Sequence, residues 1–393
     1  NIPEEWGNNF YKSGWQPGLE LNESTGLGEI THVGTDPNYR NKFDDILRGW
    51  GFNPELYEIV DTVRASSWNT QLKGGTVETF YAFKGVVKKK RPGQDKYFKE
   101  LFKQAKKKPP AKPKYNGGDT AFLWLCSDWQ LGKQDLGVEN TIKRYDIALQ
   151  DGVNRIHELR KAGVLIDEIY ILGLGDLTEN CYGFYDSQAF NIELTLKEQY
   201  ALARAMLMKT IDTFLPLADK LILAGVPGNH GEMSRSGKGQ VTTNRLDNSD
   251  TMHLDICGEI MAANPKRYKQ VKVDVADGFH QVLNIKGIKT GLSHGHMSSG
   301  SGNAENKIEN WWKGQMYGFL PMNDVKLLIT GHYHHFRAKQ QGDRTWFQCP
   351  SLDKSIDFTA RTGLWSHPGV LTLTVNKKGW DNLKVGSFLL LYS

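Results

Sequence analysis

Side chains able to bind metal ions follow five apolar segments of this 393-residue chain. The segments are AFLWLCS, EIYILGLG, KLILAGVP, IKTGLS and VKLLIT, and the residues after them supply carboxylate, amide and imidazole groups. These groups suit Mn²⁺, iron or Zn²⁺, and the absence of thiolates argues against a purely structural zinc site. In chain order, the polar residues of these motifs are Asp128, Gln130, Asp176, Glu179, Asn229, His230, Glu232, His294, His296, His332, His334 and His335. We leave His296 and His335 outside the set of predicted metal ligands and assign no role to Glu232.

The spacing within these motifs favours a two-metal site. Side chains two residues apart in an extended segment point the same way, so His332 and His334 can both face one cleft. A carboxylate shared by two cations holds them roughly 3.5 to 4 Å apart, a separation that clamps the attacking and leaving oxygens of a phosphoryl transfer. Asp176 is the best candidate for that bridge. Taken singly, each motif is also ordinary turn chemistry, so the prediction depends on the set.

An alternation of strands and helices must position these motifs. From Thr120 onward the chain alternates apolar strands with amphipathic helices, the pattern of a βαβαβ unit with buried parallel strands. Functional groups in such sheets collect beyond the carboxyl ends of the strands. The later segments VKVDVADG, FHQVLNIKG and IKTGLSHG predict a second sheet.

The motifs D-x-Q, GDxxE, GNH, HGH and GHxH, in this order between residues 120 and about 350, resemble those of the calcineurin-like metallophosphoesterase superfamily. The resemblance implies an α/β fold class, a four-layer αββα sandwich and a dinuclear site at which a hydroxide attacks phosphorus in line. One ion would be held by Asp128, Gln130, Asp176 and His334, and the other by Asp176, Asn229, His294 and His332. His230 would stabilise or protonate the leaving oxygen.

Within the superfamily, the segment 127–132 (SDWQLG) is similar to the opening motif of the DNA-repair exonuclease branch, which includes bacterial and phage members. Gln130 replaces the usual histidine, and this neutral carbonyl ligand favours Mn²⁺, with Mg²⁺, Fe²⁺ or Zn²⁺ as alternatives. Glu179 stands where that branch has a catalytic histidine. A carboxylate there is more typical of the phosphatases, and we expect it to raise the basicity of His230.

The net charge of +5 conceals a strongly basic segment. Residues 88–114 contain 12 Lys or Arg against Asp95 and Glu100, whereas the rest of the chain is mildly acidic. Such a segment favours polyanion binding through counterion release, or it is a solvated linker, and both interpretations can hold. Lys106, Lys107 and Lys108 are the candidate nucleic-acid contacts.

A second candidate nucleic-acid contact is the pair Trp312 and Lys313, which follows Trp311 on a predicted helix. An aromatic ring beside a cation can stack on unpaired bases, although core packing is the commoner role of a tryptophan.

Changes of composition and glycine- or proline-rich breaks along the chain predict four regions. Residues 1–35 form an extended lead-in, 36–87 a small α+β module that could bind DNA, 88–117 a basic linker and 118–393 the metallophosphoesterase domain. The four cysteines are widely separated, and no apolar run approaches the roughly 18 residues of a membrane span. We therefore expect a cytoplasmic protein without membrane contact, in the host cytoplasm if phage-encoded.

The leading functional hypothesis is a metal-dependent DNA nuclease with two divalent ions. The alternatives are a phosphatase or small-molecule (nucleotide) phosphodiesterase, favoured by Glu179, and a non-catalytic DNA-binding scaffold. The resemblance also implies a homodimer and an ATPase partner subunit as candidate partners, beside nucleic acid.

Overall fold

The computed structural model describes residues 11–22, 27–38, 42–54, 57–72, 75–89, 103, 105–111, 117–135, 137–236, 240–241, 243–244, 246–298, 302–353, 359, 363 and 365–380. The chain divides into two compact units, Asn1–Gly93 and Gln94–Ser393.

The first unit is an antiparallel sheet of four strands with the order β1-β2-β4-β3 and one short helix. Its elements are β1 (Gly18–Asn22), β2 (Leu27–Gly34), α1 (Phe43–Gly49), β3 (Tyr57–Gln71) and β4 (Val77–Lys89). Its core consists of Ile30, Ile46, Leu47, Phe83 and Val87. The last two strands pair antiparallel and form a hairpin.

The sheet corrects the prediction that residues 1–35 are a lead-in separate from the module. Strand β2 pairs with β4 over its whole length, and β1 pairs with β2. The sequence signal was weak because glycines and glutamates interrupt both strands (GLELN and LGEITHVG), which hides the alternation of polar and apolar residues. Ile30 nevertheless lies fully buried in the core.

The boundary predicted near residue 118 lies instead at Gly93, because part of the basic segment packs within the second unit. Ala105 is buried in that unit's core. The Asn264 side-chain amide donates to the carbonyl oxygens of Ala105 at 2.8 Å and Lys108 at 3.1 Å. These contacts show that residues 105–108 are not a free linker, while residues 90–102, 104 and 112–116 lie outside the described part of the chain.

The second unit contains two main sheets. The first has the order β10-β7-β6-β5-β16-β17, and its four strands β10 to β5 are parallel. The strands of this sheet are β5 (Thr120–Cys126), β6 (Ile166–Gly173), β7 (Lys220–Gly225), β10 (Val271–Val275), β16 (Thr372–Asn376) and β17 (Gly379–Trp380). A two-stranded ribbon, β8 (Arg235–Ser236) and β9 (Gln240–Val241), follows β7.

The second sheet has five strands in the order β11-β12-β13-β15-β14. Its strands are β11 (His280–Ile285), β12 (Ile288–Ser293), β13 (Leu327–Thr330), β14 (Arg337–Gln341) and β15 (Arg344–Gln348). The helices of the unit are α2 (Val138–Lys161), α3 (Leu196–Phe214), α4 (Ser249–Ala262) and α5 (Ala304–Tyr317).

Three apolar layers order these elements. Alternate residues of β5 face opposite sides, so Trp124 packs with the helical residues Tyr145 and Phe214, whereas Leu123 and Leu125 pack between the sheets. On the far side of the second sheet, α5 packs through Ile308 and Trp312 against Leu328 and Trp346. The order of layers is therefore helix, sheet, sheet, helix, and the α/β fold predicted as a four-layer sandwich is confirmed.

This packing also corrects one predicted nucleic-acid contact. The Trp312 side chain is 7% exposed and belongs to the core beneath α5, so it cannot stack on an unpaired base. Among the described residues, no helix is long and apolar enough to cross a membrane.

Candidate metal centre

The predicted ligands lie where strands of both sheets end. Asp128, Asp176 and Asn229 follow β5, β6 and β7 of the first sheet. His294 and His332 follow β12 and β13 of the second. Because parallel strands deliver their carboxyl ends to one edge, residues far apart in sequence meet there. The structure brings all seven predicted ligands into two adjoining groups, and ion binding by them stays a prediction.

An unusual backbone conformation aims these side chains. Five of the seven predicted ligands have a positive φ: Asp128 (50°), Gln130 (43°), Asp176 (54°), His332 (72°) and His334 (58°). Residues with a Cβ in this left-handed region cost about 1–3 kcal/mol each, and such residues cluster at functional sites. The surrounding sandwich therefore supports a local strain that sequence patterns do not reveal.

The first group consists of Asp176, His294 and His332, with one ligand atom from each lying within 4.8 Å of the others. His294 Nε2 is 3.0 Å from Asp176 Oδ2 and 3.1 Å from Asn229 Oδ1. On the opposite side of the ring, Nδ1 lies 2.6 Å from the Leu174 carbonyl oxygen. Because a carbonyl only accepts, Nδ1 carries hydrogen and donates, which leaves Nε2 facing the acidic cluster.

The electrostatics of this group favour a cation. Burial lowers the pKa of His294, but the Asp176 carboxylate outweighs burial and raises that pKa to about 9. Burial raises the pKa of Asp176, but His294 and His230 outweigh burial and hold it below its usual range. One carboxylate, two imidazoles and an amide oxygen are donors that suit a divalent transition metal, so the residues fit such an ion.

The second group consists of Asp128, Gln130 and His334. His334 Nε2 lies 3.3 Å from Asp128 Oδ1 and 3.4 Å from Gln130 Nε2. The Asp128 carboxylate also accepts from the Ser127 hydroxyl and from the His332 backbone N–H. These contacts place Asp128 between the two groups.

A buried lysine that the sequence patterns did not indicate borders the second group. Lys133 Nζ lies 3.3 Å from Gln130 Oε1 and 2.8 Å from Asp353 Oδ2. Burial lowers the pKa of Lys133, but Asp353 and Glu179 outweigh burial and raise it. No spacing rule links Lys133 with Asp353, because 220 positions separate them.

His230 and Glu179 lie together beside the first group. His230 Nδ1 is 2.8 Å from the Glu179 carbonyl oxygen and 3.5 Å from the Glu179 carboxylate. Since the carbonyl accepts from Nδ1, the Nε2 atom remains available for a substrate. The His230 ring stacks on Phe184 with its centroid 4.3 Å away and the planes 9° apart.

The Glu179 side chain is shielded from solvent. The Tyr185 hydroxyl donates to Glu179 Oε1 at 2.7 Å, and the Glu179 side chain is buried. Burial raises the pKa of Glu179, although His230 and Lys133 oppose this effect. The segment CYGFYDSQAFN after GDLTEN supplies both Phe184 and Tyr185, and its aromatic content was the only sequence signal for them.

Asp250, at the start of α4, holds two ligand loops together. Its carboxylate accepts from the backbone N–H groups of Asp176 at 3.0 Å, Leu177 at 2.9 Å and Gly228 at 2.9 Å. Burial, followed by repulsion from the Asp176 carboxylate, raises the pKa of Asp250 to about 6, against the opposing effect of the three hydrogen bonds. Sequence analysis missed Asp250 because it belongs to no metal motif.

The remaining histidines and the acid of these motifs lie outside the two groups. The His296 ring centroid lies 5.3 Å from that of His294. His335 Nδ1 contacts the Tyr333 carbonyl oxygen at 2.7 Å. Glu232 is buried, and its carbonyl oxygen accepts from the side-chain amide of Asn180 at 2.9 Å.

The predicted nucleic-acid contacts differ in their surroundings. Lys106 and Lys107 are exposed, whereas Lys108 Nζ lies 2.5 Å from Asp212 Oδ2, so an acid already compensates its charge. Lys313 is half-buried, and its ammonium lies 3.8 Å from Glu309 on the same helix.

No protein-family model and no curated protein matches the sequence. Solved structures do show a likeness. Wild-type Vps29 complexed with zinc from Entamoeba histolytica has 14% identity, with 66% of this chain and 88% of that chain covered and a TM-score of 0.29. An archaeal phosphodiesterase has 12% identity, coverage of 69% and 99%, and a TM-score of 0.28.

A hypothetical protein from Pyrococcus horikoshii OT3 has 11% identity, coverage of 70% and 89%, and a TM-score of 0.32. Because these identities and TM-scores are low, the functional conclusion depends on the geometry of the site itself.

Proposed function

We propose that this protein is a metal-dependent phosphodiester hydrolase that acts on nucleic acid, as a DNA nuclease of the calcineurin-like type. The observation that carries the proposal is the convergence of Asp176, His294 and His332 within 4.8 Å, beside a histidine whose Nε2 is free for a substrate. When bound, divalent ions supply positive charge that stabilises the phosphate and activates the attacking water.

His230 would protonate or stabilise the leaving oxygen. The Glu179 carbonyl fixes its Nδ1–H, and the Phe184 ring fixes the plane of the imidazole. The His230 backbone N–H donates to Asp176 Oδ1 at 2.7 Å, which ties the position of this proton donor to that of a metal ligand. A donor held in this way needs little rearrangement in the transition state.

Glu179 would hold the imidazole of His230 in place. Its carboxylate lies 3.5 Å from Nδ1, in a buried site. The proton carried at Nε2 is then available to the departing oxygen.

Two observations favour nucleic acid as the substrate. The segment 127–132 resembles the opening motif of DNA-repair exonucleases, and residues 88–114 carry 12 basic side chains. Lys106 and Lys107 are exposed, so phosphates in solution can reach them.

Incubation with linear and circular DNA in Mn²⁺ tests this function directly. We expect cleavage that a chelator abolishes and that Asp176→Ala removes, while Asp146→Ala, a change at an exposed ion pair with Lys209, leaves it intact. Cleavage of circular DNA would identify an endonuclease, and cleavage restricted to linear DNA an exonuclease. Intact DNA in every lane would contradict a nuclease.

The specific placement of Glu179 beside His230 supports a second candidate function, a phosphatase or nucleotide phosphodiesterase. Rapid hydrolysis of a cyclic nucleotide or of a phosphate monoester, together with intact DNA, would favour this function over the nuclease.

A further inference from the structure

From the contacts of Lys133 we infer that the two groups of candidate ligands bind divalent ions with unequal affinity. Lys133 donates a hydrogen bond to Gln130 Oε1 and so occupies a ligand atom of the group formed by Asp128, Gln130 and His334, which makes divalent ions bind there weakly. A single ion is then held tightly by Asp176, His294 and His332. The inference rests on the proposed metal-dependent function and specifies which of its two ion sites is filled first.

The orientation of the Gln130 amide is the first argument. Its Oε1 atom accepts from Lys133 Nζ at 3.3 Å, which turns Nε2 toward His334 Nε2 at 3.4 Å. An amide nitrogen has no lone pair to give to a metal ion, so in this arrangement Gln130 presents a donor where a ligand would be needed. The reversed amide would place its N–H groups against the ammonium of Lys133, which also only donates.

The position of Lys133 is fixed, which is the second argument. Its backbone N–H donates to the Gln130 carbonyl oxygen at 3.2 Å, closing a turn, and its backbone pairs with that of Ile192. Its ammonium lies 2.8 Å from Asp353 Oδ2, and the two side chains are 16% and 6% exposed. Because a turn and a bridge hold the backbone of Lys133, and an ion pair with little solvent exposure holds its ammonium, the side chain cannot easily swing away from Gln130.

The third argument is charge. The Lys133 ammonium already contacts Gln130 Oε1, so an ion bound to the same oxygen atom would lie close to the ammonium. Like charges this close repel in a poorly solvated site, and the Asp353 carboxylate offsets only part of the Lys133 charge. By contrast, the contacts at His294 Nε2 come from the carboxylate of Asp176 and the amide oxygen of Asn229, both of which attract a cation.

Mn²⁺ titration followed by electron paramagnetic resonance, on the full-length metal-free protein, tests the inference without measuring catalysis. For the wild type we expect one tight ion per chain, with the spectrum of an isolated Mn²⁺. A second ion should bind at least about tenfold more weakly, judged from the repulsion of neighbouring charges. Lys133→Met should strengthen the second binding step by about tenfold or more and yield the broadened spectrum of a coupled pair.

Lys143→Met is the matched control, because Lys143 is an exposed lysine paired with Glu139 on α2 and should leave both binding steps unchanged. If Lys133→Met does not fold, Gln130→His replaces the amide by an imidazole, which is a stronger metal ligand than an amide oxygen. The second binding step of that variant should also strengthen.

Two equally tight ions in the wild type, or an unchanged second step in a folded Lys133→Met protein, would overturn the inference while leaving the proposed function intact. A wild type that binds no Mn²⁺ would contradict both.

Discussion

His294 Nε2 lies 3.0 Å from Asp176 Oδ2, although the two residues follow strands of different sheets. The candidate metal centre therefore spans the junction of the sandwich, and its geometry depends on how the two sheets pack. Leu174, which accepts from His294 Nδ1, is itself buried between the sheets. Sheet packing and the placement of the candidate ligands are thus coupled through a single imidazole.

His230→Ala should slow phosphodiester hydrolysis by about 10²–10⁴-fold, the usual contribution of a general acid, without loss of metal. The reason is that His230 contacts Glu179 and Phe184 through its ring, whereas only its backbone touches Asp176. The measurement is kcat together with Mn²⁺ content, and His157→Ala on α2 is the control. A variant that loses its metal would make His230 a ligand.

Gly228→Ala should weaken Mn²⁺ binding by roughly 10–100-fold, as changes beside ligands do. A Cβ at this position would lie 2.2 Å from Asp176 Oδ1 and 2.4 Å from Asp176 N, so Asp176 must move. Calorimetric titration with Mn²⁺ measures the effect.

Gly314→Ala provides the control for this substitution, because a Cβ there meets open space within α5. We expect unchanged metal affinity and a stability gain of about 0.5–1 kcal/mol from the better helix former. Equal metal affinities in the two variants would show that the close approach of Gly228 to Asp176 is unimportant.

The stability of the fold should fall as the pH falls from about 6.5 to about 3, in part through His253. This residue is fully buried on α4, and neither ring nitrogen has a hydrogen-bond partner among the described residues. Burial, assisted by Arg204, lowers its pKa from 6.5 to about 3. In that window the unfolded chain binds a proton that the folded chain excludes, so acid favours unfolding.

His253→Leu should reduce the pH dependence of the free energy of unfolding in this window by up to about 1.4 kcal/mol per pH unit, the contribution of one proton. Urea unfolding at a series of pH values measures it. Above pH 7.5 His253 is neutral in both the folded and the unfolded chain. The difference in unfolding free energy between the wild type and His253→Leu at that pH therefore reports packing alone. Parallel stability curves across the acid range would refute the assignment.

Lys106→Gln combined with Lys107→Gln should lower DNA affinity and reduce the slope of log K against log salt by up to about 1.8. Lys108 is left unchanged because Asp212 already binds its ammonium. Fluorescence anisotropy at several salt concentrations measures the slope, and Lys143→Gln is the control. An unchanged slope would mean that these two lysines do not contact DNA phosphates.

The resemblance of the motifs to those of the metallophosphoesterases implied the four layers of the large unit, and the alternation of strands and helices implied that residues at the strand ends would meet. Parallel strands must deliver their ends to one edge, so Asp128, Asp176 and Asn229 could be placed together without coordinates. Lys133 and Asp250 could not, because they act through contacts with residues distant in sequence and carry no motif.

Two further features were hidden for different physical reasons. The positive φ of ligands such as His332 is imposed by the surrounding sandwich, since a histidine does not favour it. Trp312 lies next to a lysine, yet its large apolar side chain covers the outer face of the second sheet.

The most direct test of the central claim is the hydrolysis of bis(p-nitrophenyl) phosphate by chelator-stripped protein before and after Mn²⁺ is added, with Asp176→Asn in parallel. We expect no turnover without metal, recovery of the wild type with Mn²⁺, and a rate at least about 10³-fold lower for Asp176→Asn. Undiminished turnover by the stripped protein, or by Asp176→Asn, would contradict a metal centre built on Asp176.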